Sequence, residues 1–110
     1  MPEPSESGGS LRTTVSRLNG CQVVTLVGDL DAGTAVELRR QLVSLLEGGA
    51  TSIVFELAEL EFVDSTGLGV LVGTQKRLHQ RDGNLVLRSL RPSARKAFEI
   101  TGLDRVFEIE

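Results

Sequence analysis

The spacing of apolar residues changes period several times along the chain, and each change predicts an element. Leu11-Arg12-Thr13-Thr14-Val15-Ser16-Arg17-Leu18 is loosely apolar and runs into Asn19-Gly20, a dipeptide favoured in two-residue hairpin turns. Cys21-Gln22-Val23-Val24-Thr25-Leu26-Val27 follows, rich in β-branched residues and alternating at Val23, Thr25 and Val27, until Gly28 ends it. After Asp31 the period lengthens. Ala35, Leu38, Leu42 and Leu45 recur at helical spacing while Glu37, Arg39, Arg40 and Gln41 fall elsewhere, and Gly48-Gly49 closes this first helix. Ile53-Val54-Phe55 with Leu57 then reads as a short strand buried on both faces, the kind found in parallel sheets under helices.

A second helical stripe holds Leu68, Leu71, Val72 and Leu78, with Gln75 as its one polar interruption. Lys76, Arg77 and Arg81 lie towards its C-terminal end, where the helix dipole favours cations. Asp82-Gly83 turns the chain into Leu85-Val86-Leu87, and Pro92 suits the first position of a short third helix with Ala94, Ala97 and Phe98. Gly102 is its natural stop, and Val106-Phe107-Glu108-Ile109 alternates as a last strand. The predicted order is β-β-α-β-α-β-α-β with no internal repeat, an α/β fold with a mixed sheet of about five strands and helices packed on it.

At 110 residues the chain is one domain in size, and 40% hydrophobic with 25% charged residues is ordinary for a globular domain. A net charge of −3 lacks the basic surface that nucleic acid requires. Cys21 is the single cysteine, so it forms no internal disulfide and reads as a small buried hydrophobe in a reducing compartment. Residues 1–10 hold Pro, Glu, Ser and Gly without an apolar core, which predicts a disordered tail rather than a secretory signal, with the domain over 11–110. No apolar run approaches the roughly 20 residues that span a membrane, so a cytoplasmic protein is expected.

The most informative stretch is Phe62-Val63-Asp64-Ser65-Thr66-Gly67-Leu68-Gly69-Val70-Leu71, where an apolar run stops at a hydroxyl and a helical pattern begins. Ser65 is expected as the N-cap of the second helix, accepting a hydrogen bond from a first-turn N–H at the positive end of the dipole. A phosphate placed there meets waiting donors. Gly67 and Gly69 are expected to leave the first turn bare to an approaching protein, at about 0.5–1 kcal/mol each relative to Ala. Val70 and Leu71 cannot both face the core, so one is expected outside. Asp64 lacks a neighbouring acid or His for proton transfer and instead repels an incoming phosphate. Asp31 is either a helix N-cap or a partner contact.

Other chemistry is poorly served. His79, the only His, sits about 21 Å along the same helix from Ser65 at 1.5 Å per residue, which excludes a Ser-His-Asp hydrolase. Asp29 with Asp31 lacks the ligand count of a metal site, and the glycines near Gly69 and Gly73 are followed by no phosphate-binding Gly-Lys-Ser/Thr. No cofactor, metal or catalytic residue is expected, and an enzyme using Ser65 as nucleophile has no visible base.

Over about 11–110 the chain resembles STAS domains, most closely the bacterial anti-sigma factor antagonists. The resemblance rests on Gly28-Asp29-Leu30-Asp31, the Phe62 to Leu71 stretch, and Gly83, Pro92, Phe98 and Thr101-Gly102-Leu103 at the usual intervals. It implies that Ser65 is phosphorylated by an anti-sigma factor that is also an ATP-dependent serine kinase, with Thr66 a secondary candidate. It also implies that the unmodified protein binds that anti-sigma factor and frees the sigma factor for transcription, that a phosphatase restores binding, and that Asp31 belongs to the partner surface. That surface is expected to comprise Asp31, Asp64, Ser65, Thr66, Gly67, Leu68, Gly69 and Val70. The alternative is a scaffold or transporter-associated STAS module with a different protein partner. Family members often continue into a C-terminal helix; with the sequence reaching Glu110, that helix is expected to be absent, rearranged or removed.

Overall fold

The computed structural model describes residues 10–110, so the tail expected over 1–10 lies outside the described residues except for Ser10. Strands β1 (Leu11–Leu18) and β2 (Cys21–Leu30) form an antiparallel hairpin with Leu18 opposite Cys21. Asn19 and Gly20 between them have φ of 54° and 79°, the left-handed pair that matches the twist of the flanking strands. Helix α1 (Ala32–Glu47), strand β3 (Ser52–Val63), helix α2 (Ser65–His79), strand β4 (Asn84–Arg88), helix α3 (Pro92–Thr101), a 3₁₀ turn over Leu103–Arg105 and strand β5 (Glu108–Ile109) follow. The sheet order is β1-β2-β3-β4-β5, antiparallel at the first pair and parallel thereafter. This is the expected mixed five-stranded sheet and element order.

Each helix joins neighbouring parallel strands, and right-handed crossovers running in one direction place all three on the same face. There Leu38 and Leu42 of α1, Leu71 and Leu78 of α2, and Phe98 of α3 share one core with Leu26, Phe55 and Leu87 of the sheet. Phe98 and Phe107 meet edge to face, centroids 5.7 Å apart at 79°, which seats the last turn against α3. Gly102, at φ 77°, ends α3 in the left-handed conformation expected of a glycine stop.

Several local expectations are corrected. β3 is neither short nor buried on both faces: it spans 12 residues, and Ile53, Phe55 and Leu57 are buried while Val54 and Glu56 between them are half-buried. With helices on a single face, a parallel strand alternates as an antiparallel one does. The α1 stripe ends on Leu46, with Leu45 half-buried at its edge. Gln75 lies in the buried stripe of α2 as expected, its Nε2 donating to the Val106 carbonyl at 2.9 Å, but it is not the one polar residue there, since Thr74 is buried too. The last strand shrinks to two residues because the 3₁₀ turn takes the preceding chain and Phe107 turns into the core. Among the described residues no helix is long and apolar enough to cross a membrane.

On the helix-free face Arg88 Nε donates to Glu56 Oε1 at 2.7 Å across β3 and β4. Burial alone pushes the Glu56 carboxyl up, but hydrogen bonds from Arg88, Ser89 and the Ala58 N–H, with the Arg88 charge, outweigh it and hold it below the usual carboxylate value of 4.5. A folded-state value below the unfolded one means stability that is fully present above 4.5 and lost as pH falls through the folded-state value. Glu56→Gln is therefore expected to lower unfolding free energy by about 0–1 kcal/mol at neutral pH, the range of partly exposed pairs. The difference should vanish in urea titrations repeated at acid pH; a constant difference would contradict the ion-pair account.

Candidate functional site

The parallel pairing of β2 with β3 brings their C-terminal ends to one edge, where each feeds a helix through an Asp. The Asp64 N–H donates to the Leu30 carbonyl at 3.1 Å and carries the pairing from the end of β2 to the residue before α2. Asp31 caps α1: its Oδ1 accepts from the N–H groups of Gly33 and Thr34, both at 2.9 Å, and its own N–H donates to Thr34 Oγ1 at 2.9 Å. This reciprocal box satisfies orphan donors on both sides of the cap. Asp31 is only 4% exposed, so the N-cap reading of this residue is the one its geometry displays.

Asp64 does more than cap its own helix. Oδ1 accepts from Gly67 N–H at 3.0 Å in the first turn of α2, and Oδ2 accepts from Ala32 N–H at 3.2 Å in the first turn of α1. One carboxylate thus joins two helix N-termini and offsets the positive ends of both dipoles. Ser65, expected as the α2 cap, is instead its first helical residue, and the cap is Asp64. Both residue types cap well, but an ionised carboxylate makes the stronger, charge-assisted bond and here satisfies donors from two helices at once.

The displacement has a chemical consequence. Ser65 is exposed, and among the described residues its hydroxyl makes no hydrogen bond, so it stands free at the mouth of the paired N-termini. Both Asp64 oxygens already accept backbone N–H groups, and His79 lies about 21 Å away along α2 at 1.5 Å per residue. Among the described residues no side chain hydrogen-bonds the Ser65 hydroxyl, so none is placed to take its proton. Among the described residues no cluster of three or more His, Cys, Asp or Glu is placed to hold a metal ion.

The glycines of α2 divide by function. Gly67 is buried, and a Cβ there would lie 2.5 Å from Leu30 Cγ and 2.9 Å from the Leu30 carbonyl oxygen. Its bareness lets α2 start against the end of β2, which corrects the expectation that it clears the way for a partner. Gly69 is exposed with nothing within 4 Å of its would-be Cβ, as expected of a bare first turn. Leu68 and Leu71 anchor the helix in the core, while Val70 is the outer, half-buried member of its pair with Leu71. Thr66 is exposed beside Ser65. Two exposed apolar residues lie outside the predicted partner surface: Val36 of α1 is 63% exposed and Phe62 of β3 is 50% exposed. Val36 falls outside the Ala35-Leu38-Leu42-Leu46 stripe, which was the available signal.

Residues 12–110 match the STAS domain family, and the chain belongs to it. It is 40% identical over 86 residues to the anti-sigma-B factor antagonist of Bacillus subtilis, covering 78% of each chain. Among solved structures it resembles an anti-sigma factor antagonist from Mycobacterium paratuberculosis, with a TM-score of 0.80, 31% identity and coverage of 91% of this chain and 85% of the other. It also resembles the Bacillus cell fate determinant SpoIIAA in its phosphorylated form, with a TM-score of 0.72, 26% identity and coverage of 90% and 91%.

The glycine geometry sets opposite expectations for one substitution. Gly67→Ala should destabilise the fold by about 1–3 kcal/mol through overpacking against Leu30. Gly69→Ala should stabilise it by about 0.5–1 kcal/mol through helix propensity alone. Urea denaturation of the two variants checks this, and equal shifts would contradict the assignment.

Proposed function

We propose that this protein is an anti-sigma factor antagonist that binds an anti-sigma factor with serine kinase activity when Ser65 is unmodified and lets go when Ser65 is phosphorylated. The observation that carries this reading is the exposed, unengaged Ser65 hydroxyl at the first position of α2, left free because Asp64 supplies the cap. In the transfer, Ser65 Oγ attacks the γ-phosphorus of ATP held by the kinase, its proton passes to a kinase base, and ADP leaves. A phosphatase hydrolyses the ester and restores the hydroxyl.

The switch follows from charge. A phosphoserine adds roughly −1.5 to −2 charge, and a helix N-terminus tolerates it in water, so the fold survives modification. The same charge beside Asp64 in a surface that a partner must desolvate is strongly unfavourable. Thr66, Gly69 and Val70 surround the hydroxyl on that surface, while Asp31, Gly67 and Leu68 lie beneath and hold its shape. Support comes from the antagonists of known name to which the chain is similar, and from SpoIIAA, a relative solved in a phosphorylated form. In this reading the chain acts by binding rather than turnover, and a kinase that uses ATP and a sigma factor as the beneficiary imply a cytoplasmic protein.

Incubated with its cognate kinase and ATP, the protein should gain one phosphate by mass spectrometry, and Ser65→Ala should abolish the gain. In calorimetric titrations Ser65→Asp should weaken binding to the anti-sigma factor at least tenfold, about 1.4 kcal/mol, while Ser65→Ala leaves it close to the parent. Phosphate on the Ala variant, or equal affinities for all three, would sink the switch.

A further inference from the structure

A groove of about 280 Å³ runs between α1 and α2, and a smaller one of about 150 Å³ opens beside Thr66 and Val36. Arg39, Thr66 and Val70 line both, so the two depressions form one channel that begins next to Ser65 and descends between the helices. Its depth comes from Gly69 and Gly73, neither of which has an atom within 4 Å of its would-be Cβ. The lining of the larger groove includes Leu42, Val43 and Leu46 and no acidic residue.

Charge distinguishes this channel from a mere gap. Arg39 on the α1 wall and Arg77 on the α2 wall lie about 10 Å and 18 Å from their helix starts at 1.5 Å per residue. Both are exposed, and neither makes an ion pair or side-chain hydrogen bond among the described residues, whereas neighbouring Arg40 is paired with Glu37 at 2.9 Å. Two such guanidiniums, one on each helix wall of a trough that mixes aliphatic side chains with the hydroxyls of Thr66 and Thr74, are complementary to one kind of occupant: an apolar ridge with carboxylates on both flanks. A trough floored by glycines admits a helix at close approach, and ridge-in-groove packing supplies the geometry.

We propose that the α1/α2 channel docks an acidic amphipathic helix of a partner protein. The inference rests on the reading of Ser65 as a switch in partner binding and extends that surface from the switch down the helix pair. Ser65 then controls one end of a longer contact, and the partner is recognised by the other.

The test uses a fluorescein-labelled peptide of about 15 residues, near the length at which an isolated helix becomes marginally stable. It carries Leu at i, i+4, i+7 and i+11 and Glu on both flanks, and its counterpart carries Lys in place of Glu. Fluorescence anisotropy with the full chain should show the Glu peptide binding about five- to tenfold more tightly, the size expected of two exposed ion pairs. Amide shifts in its presence should cluster at Val43, Val70 and Gly73. The double variant Arg39→Glu, Arg77→Glu should prefer the Lys peptide, and Gly73→Leu should abolish binding of both while raising Tm, since Leu favours a helix over Gly. Equal affinity for both peptides, shifts confined to other faces, or groove shifts that appear with protein concentration and no peptide, the mark of self-association, would each overturn the proposal. Neither kinase nor ATP is present, so a negative result leaves the Ser65 reading standing, and an unphosphorylated Ser65 leaves the channel standing.

Discussion

The shape of the site depends on a single carboxylate held between two helices. Asp64 accepts from Gly67 N–H with one oxygen and from Ala32 N–H with the other, so the starts of α1 and α2 share one anion. Hydrogen bonds to a charged acceptor lie in the upper part of the range for proteins, and two of them fix the relative placement of the helices. That placement depends in turn on the parallel pairing of β2 and β3, whose last link is Asp64 N–H to the Leu30 carbonyl. Without this arrangement Ser65 would compete for the cap and lose the freedom of its hydroxyl.

The three glycines of α2 show how one residue type serves different ends of the same surface. Gly67 permits a close approach to Leu30 that no side chain allows, which is a demand of packing. Gly69 and Gly73 meet no such demand, and each gives up about 0.5–1 kcal/mol of helix stability. What they leave is the open floor of a channel lined by Arg39 and Arg77, two arginines without an ion pair among the described residues. The Ser65 end of α2 and the channel adjoin, with Thr66 and Val70 lining both of its depressions.

The helices that carry the site belong to a STAS domain, and the residues that line it lie between Asp31 and Arg77. Two large apolar side chains near the helix starts in sequence, Val36 and Phe62, are exposed.

Periodicity alone determined the element order, the hairpin at Asn19-Gly20, the glycine stop at Gly102 and the helical start near Ser65, because these are consequences of local backbone preference. The extent of β3 was hidden, since Ala58-Glu59-Leu60-Glu61 reads as polar chain until pairing with β2, through its register shifts, holds it as strand. Which of Asp64 and Ser65 caps α2 was hidden for a related reason: both residues cap well in isolation, and the choice falls with a donor 32 positions away in sequence. The same holds for Gly67, whose purpose is defined by Leu30, and for the channel, which exists only where α1 and α2 lie side by side. Local spacing determined what the segments are; contacts between distant segments decided which atoms are left free, because satisfying one hydrogen-bond acceptor across the fold is what releases another.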